Sequence, residues 1–308
     1  QVTVVEQMAE LREVGAGIVV APNMVRPLVQ LGLADAMARF APRLEAAWEF
    51  RRWQDGRVLS SQPMGEACQQ LYGAHCHVAH RGEMLALLRE ALPDDTVQLD
   101  RRCSGLHQDE HGATLMLSSR DGSTHELHAD VVIGADGIHS AVRPFVVPAD
   151  EARFSGLCAF RCLVPAAAAP AMALRPVQTL WLGPERHFVH YPISAGTLVN
   201  LVAIVPAGDW RNESWTAEGA IADLRAEFTG WDPRLHQLID AATETKRWAL
   251  FDRSPLARWT AGRVSLLGDA AHPMLPFFAQ GSAQAFEDAV VLAGCLAGAD
   301  AATAPQAL

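Results

Sequence analysis

Three apolar runs in this chain of 308 residues each end on a carboxylate at a turn: Val2-Thr3-Val4-Val5-Glu6, Ala129-Asp130-Val131-Val132-Ile133-Gly134-Ala135-Asp136 and Arg263-Val264-Ser265-Leu266-Leu267-Gly268-Asp269. In doubly wound sheets ligands bind beyond the carboxyl ends of the strands, where an acid accepts hydrogen bonds from sugar-like hydroxyls. One such acid reads equally well as a turn former or helix cap. Three of them, set among glycines, point to a ligand that carries hydroxyls. A second constellation is His187-Phe188-Val189-His190-Tyr191-Pro192. Strand alternation puts His187, Val189 and Tyr191 on one side and His190 on the other. A histidine that titrates near neutrality suits removal of a proton from a phenol. The plainer reading is a satisfied sheet histidine beside a core tyrosine.

The elements that must position these groups follow from the pattern. The β-branched run at 2–6 reads as a buried parallel strand, and so do the runs ending at Asp136 and Asp269. A turn-rich segment at 13–18 precedes a helix over 23–37, and a second helix spans 81–92. Strands are expected at 48–53, 58–60, 97–99, 113–118 and 126–129, with Asp121-Gly122 as a hairpin turn. From about Phe154 the spacing becomes that of hairpins: 157–164, 178–182, 187–192 and 197–205, followed by a helix at 216–228. The fold class is α/β (α+β overall). Residues 1–150 with 255–308 are expected to form one discontinuous domain, and 151–254 a second with a mostly antiparallel sheet.

Four blocks of sequence carry a family resemblance. Val132-Ile133-Gly134-Ala135-Asp136-Gly137 with Ser140 and Arg143 resembles the "DG" motif of the para-hydroxybenzoate-hydroxylase-like, FAD-dependent aromatic-ring monooxygenases. Leu266-Leu267-Gly268-Asp269-Ala270-Ala271-His272-Pro273, continuing through Pro276 and Ala279-Gln280-Gly281, resembles their "GD" motif. Val5-Glu6 with Val14-Gly15-Ala16-Gly17-Ile18 resembles the second strand and turn, and His80-Arg81 stands where the family's helix opens. The resemblance implies FAD as cofactor, held by Glu6, Arg81, Asp136, Gly268, Asp269, Pro276 and Gly281. Asp269 would meet ribityl hydroxyls, Pro276 would line the flavin, and Gly281 would open a helix toward its pyrimidine. Asp136 and Arg143 would organise the cleft.

The implied activity is hydroxylation of a phenolic or hydroxy-N-heteroaromatic acid with NAD(P)H and O2 through a flavin C4a-hydroperoxide. The His-x-x-x-Tyr-Pro spacing is similar to that of salicylate, 3-hydroxybenzoate and 6-hydroxynicotinate hydroxylases, which implies His187 as base and Tyr191 as positioning donor. Phe277 and Phe278 would form an apolar wall in the substrate pocket, while His272 is expected to cap the turn after Asp269. The family's opening strand, GxGxxG loop and helix, about 30 residues, do not occur before Glu6. The expectation is therefore a Rossmann-like domain lacking its first β–α unit, incomplete at both ends, with weak or absent FAD binding.

Composition narrows the alternatives. A net charge of −10 argues against nucleic acid and anionic membrane as partners. The six cysteines contain no CxxC pair and no zinc spacing, so no metal site is expected, and reduced thiols suit a cytoplasmic protein. No apolar run is long enough to span a bilayer. The Trp-x-Trp-x-x-Ile signature of flavin-dependent halogenases is absent. A flavin-free or non-catalytic remnant and an epoxidase-type monooxygenase stay open, as does the oligomeric state, including a homodimer.

Overall fold

Apolar runs that end on acids do become parallel strands. In the computed structural model, which describes residues 1–11, 16–45, 47–148, 150–214 and 217–308, strand Val132–Gly134 lies parallel to Val264–Leu266. Strand Val4–Val5 lies parallel to Val97–Gln98. These strands belong to a first unit, Gln1–Arg12, Glu90–Arg153 and Phe251–Leu308. An antiparallel meander of Arg102–Gln108, Ala113–Ser118 and Thr124–Ala129 packs Leu106, Leu115 and Leu117 against Val132, Val264 and Leu266. The first strand departs from expectation. Val2 is 73% and Val4 41% exposed, because this strand belongs to a two-stranded sheet.

The second unit, Glu13–Arg89 and Phe154–Leu250, is built on an eight-stranded sheet. Its long strands Arg153–Pro165, Leu198–Pro206, Arg186–Ile193 and Gln178–Gly183 pair antiparallel in that order. One parallel pair, Ala47–Arg52 on Gln178–Gly183, draws residues from the first third of the chain into this sheet. Compactness therefore groups 13–89 with 154–250, whereas the cofactor motifs group 1–150 with 255–308. One face of the sheet buries Phe160, Trp181, Phe188, Leu201 and Ala203 against Leu224, Phe228, Leu235 and Leu238 of helices Ile221–Glu227 and Pro233–Asp240.

Several local expectations needed correction. The helix expected over 23–37 is two, Pro22–Gln30 and Ala34–Ala38, separated where Gly32 takes a φ of 73°. Of the turn-rich segment at 13–18, residues 13–15 lie outside the described residues. Gly17 opens a strand, Gly17–Val20, antiparallel to His77–His80. Thr216, expected to begin a helix, also lies outside the described residues.

The opposite alternation of His190 has an energetic consequence. Its ring is 1% exposed and neither nitrogen has a hydrogen-bond partner among the described residues. Burial, reinforced by the Arg51 guanidinium, pushes its pKa down to about 3. Glu49 stands on the same face, held by Arg51 at 2.7 Å. The unfolded chain titrates His190 near 6.5 and so binds the proton that the folded chain refuses between that pH and about 3. Its contribution to stability is thus full above pH 6.5 and is lost progressively as pH falls. By linkage the loss reaches roughly 5 kcal/mol at the acid end. The urea midpoint should therefore drop between pH 7 and pH 5 by less in His190→Leu than in the wild type. Equal drops in the two proteins would rule out this origin.

Candidate functional site

In the first unit the site grows from the end of strand Val264–Leu266. Gly268 has a φ of 59°, a left-handed conformation that favours glycine, and a Cβ there would stand 3.2 Å from that of Ala285. The chain then makes a single 3₁₀ turn through Asp269 and a second at Pro276–Phe278, and enters the 16-residue helix Gly281–Leu296. A Cβ built on Gly281 would lie 4.0 Å from Asp269 Oδ1. The exposed carboxylate and the helix start therefore share one place, where the first N–H groups of the helix have no partner within it. The dipole end that gathers there favours negative charge.

Side chains from three segments hold this turn. Asp288 Oδ2 accepts from the Gly268 N–H at 2.9 Å and meets His272 Nε2 at 2.6 Å. The His272 ring lies against Trp259 with centroids 4.8 Å apart. The histidine thus ties the turn to the helix, and the cap on Gly268 itself is Asp288. Arg143, 2% exposed, donates from Nη1 to the carbonyls of Ala270 and Ala271 at 2.8 and 3.0 Å. Its Nε and Nη2 grip Asp150 at 2.8 and 2.9 Å, and Arg253 Nη1 meets Asp150 at 3.0 Å. Asp150 is accordingly held below the usual carboxylate range, first by Arg143.

The other acids are engaged locally. Asp136 accepts from Ser140 Oγ at 2.5 Å, from Ala141 N at 2.7 Å and from Val142 N at 3.2 Å. It caps its own turn. Glu6 Oε1 accepts from the Met8 N–H at 2.8 Å. Phe277 and Phe278 are 41% and 74% exposed on the turn before the long helix.

In the second unit, His187 and Tyr191 share a face of strand Arg186–Ile193 as alternation requires. Cross-strand register adds Asn200 beside Tyr191, and Val202 beside both Val189 and Arg161. His187 is half-buried, and burial moves its pKa below the ordinary value. Tyr191 is 4% exposed; burial raises its phenol pKa while the Arg161 charge opposes that shift. The Arg161 guanidinium stacks 4.6 Å over the Trp248 ring, and burial lowers its pKa to about 10. It is still a cation at neutral pH. Arg81, exposed, opens helix Arg81–Glu90, and its N–H donates to Ala16 O at 2.8 Å. Arg161 and Asn200 were missed in the sequence. Their signal was a polar residue inside an otherwise apolar strand.

An exposed acid at a strand end before a glycine-opened helix in one unit, and a large antiparallel sheet with a polar face in the other, are the features to be matched among known proteins. The FAD binding domain family model matches residues 1–308. The chain is 43% identical over 298 residues to 3-amino-4-hydroxybenzoate 2-monooxygenase PtmB3 of Streptomyces platensis, which covers 97% of this chain and 74% of the relative. It is 36% identical to 6-hydroxynicotinate 3-monooxygenase of Pseudomonas fluorescens, over 96% of this chain and 76% of that one. Among solved structures, Klebsiella pneumoniae HpxO complexed with FAD and uric acid superposes with a TM-score of 0.84 at 30% identity, covering 98% of this chain and 75% of that chain. The chain belongs to the family of FAD-dependent aromatic hydroxylases. Among the described residues no helix is long and apolar enough to cross a membrane.

Proposed function

We propose that the protein hydroxylates a phenolic or hydroxy-N-heteroaromatic acid, with NAD(P)H and O2 as co-substrates. The observation that carries this reading is the polar face of the eight-stranded sheet. There His187, Tyr191, Asn200 and the cation Arg161 share one side of three neighbouring strands. Such a face suits an aromatic ring that bears anionic oxygens. His187, kept neutral by burial at ordinary pH, can take the proton of a ring hydroxyl. Tyr191, kept protonated by burial, remains a hydrogen-bond donor that orients the ring.

The first unit's residues fit FAD. Asp269 presents an exposed carboxylate to ribityl hydroxyls, and Gly281 begins a helix with no side chain in the way of a close approach. The free N–H groups of that helix suit an electron-rich pyrimidine edge. Gly268 and Pro276 shape the turn on either side, Asp136 organises a neighbouring turn, and Glu6 is assigned to the nucleotide by resemblance; for Arg81, a residue of the second unit, the flavin role rests on the family resemblance alone. Bound FAD supplies activated oxygen drawn from O2 at the expense of NAD(P)H. The chain's own residues bind, orient and deprotonate the acid. By the family resemblance alone, Phe277 and Phe278 are assigned to an apolar wall for an aromatic ring.

The test is to load the protein with FAD and follow NAD(P)H oxidation with hydroxylated benzoates and nicotinates. At least one acid should stimulate oxidation and yield an oxygenated product in step with the NAD(P)H consumed. Oxidation indifferent to every acid, without oxygenated product, would count decisively against the reading.

A further inference from the structure

Asn200 is wholly buried, yet only half of its amide is used. Its Oδ1 accepts the Gly17 N–H at 2.8 Å, while Nδ2 has no hydrogen-bond partner among the described residues. Because the oxygen is engaged, the amide is not free to flip, so its two N–H bonds are directed away from Gly17. The fit is tight. A Cβ on Gly17 would come within 2.6 Å of Asn200 Cγ and 2.7 Å of Tyr191 Cε2. Strand Gly17–Val20 is thus pressed onto the Tyr191–Asn200 cross-strand pair, which holds the ring and the amide in place. Beside it, the Tyr191 hydroxyl makes no hydrogen bond to any described residue.

Leaving a buried donor unsatisfied is costly, and an apolar side chain of similar size would avoid that cost. A buried amide donor without an acceptor among the described residues, beside a tyrosine hydroxyl and on the face that also carries the Arg161 cation, calls for a partner rich in lone pairs. We propose that the Asn200 side-chain amide, locked in orientation by Gly17, donates a hydrogen bond to an anionic oxygen of the aromatic substrate and so helps set which acids are accepted. This rests on the functional reading above and deepens it, giving a donor atom and an acceptor to a residue that the reading placed only on the polar face. The acceptor is a ring oxygen or a carboxylate oxygen; the two share their chemistry and differ in the test.

The experiment is a calorimetric titration of wild type, Asn200→Asp and Asn200→Leu with 3-amino-4-hydroxybenzoate and 6-hydroxynicotinate. The decarboxylated analogues 2-aminophenol and 2-hydroxypyridine are titrated in parallel. Asn200→Asp keeps an acceptor for the Gly17 N–H but removes the donor, whereas Asn200→Leu removes both without adding charge. Each variant should bind the acid roughly ten- to a hundredfold more weakly, the worth of a hydrogen bond to a charged group. Weakening confined to the acids identifies the carboxylate as acceptor, and weakening of the analogues as well identifies the ring oxygen. In the wild type, the Asn200 amide protons should move downfield in NMR spectra when the acid is added, a readout that does not depend on either variant folding. Unchanged affinity in the variants with unmoved amide protons overturns this inference alone. A wild-type protein that binds none of the four compounds overturns the functional reading along with it.

Discussion

Replacing His187 by alanine is expected to lower kcat/KM for a phenolic acid by about 10²–10⁴-fold, the range that a positioned general base supplies. The protein should keep its fold, since His187 is only half-buried near the start of the strand and is not part of the cluster that packs against the two helices. The pH profile gives a second and independent readout. A base must be neutral to act, and burial moves the His187 pKa below 6.5. The wild-type rate should therefore hold its plateau on going from pH 8 through 6.5 and fall only at pH values below that lowered pKa. In the alanine variant this acidic limb should vanish. Added imidazole should restore part of the rate if the loss is one of proton transfer. An undiminished rate in the variant would remove His187 from the chemistry and favour an oxygenation that needs no base, such as epoxidation.

Arg143→Met should cost the first unit about 3 kcal/mol of stability, the lower part of the range for breaking a buried pair on one side. The lower part applies because Asp150 is one-third exposed, and water can partly replace the lost partner. The substitution strands the carbonyls of Ala270 and Ala271 as well as Asp150. Those carbonyls follow Asp269 directly, so FAD affinity should fall further than the loss of global stability alone explains. Lysine should rescue little, because a single ammonium cannot serve two carbonyls and a bidentate carboxylate in the same plane. Urea unfolding of the variant measures the first effect, and flavin titration at a urea-free pH optimum measures the second. A variant as stable as the wild type would mean that the network around Arg143 contributes nothing measurable.

The parts of the fold that could be read from the chain are those set by short-range periodicity. Apolar runs ending at Asp136 and Asp269 gave parallel strands, and the hairpin spacing after Phe154 gave the antiparallel sheet, because alternation and turn residues act locally. Where long-range contacts decide, the reading failed. The strand at Val4–Val5 has the composition of a buried strand but sits in a pair of strands, with Val4 exposed. Ala47–Arg52 joins a sheet whose other members lie far along the chain, through a parallel pairing that no local pattern announces. The division of the chain at 150 and 255 followed the change to hairpin spacing near Phe154, whereas the compact units group 13–89 with 154–250.

Within the candidate site the same contrast holds. Residue types and order alone determined that an acid would stand at a strand end before a glycine-opened helix. They also determined that His187 and Tyr191 would share one face, since both follow from the geometry of a few successive residues. Only the tertiary structure decided which groups meet them. Asp288 reaches back sixteen residues to His272, Arg143 spans 127 positions to the carbonyl of Ala270, and Asn200 spans 183 to the N–H of Gly17. Those contacts depend on how strands and helices pack, where a polar group is kept only if a partner from elsewhere in the chain, or from outside it, satisfies its hydrogen bonds.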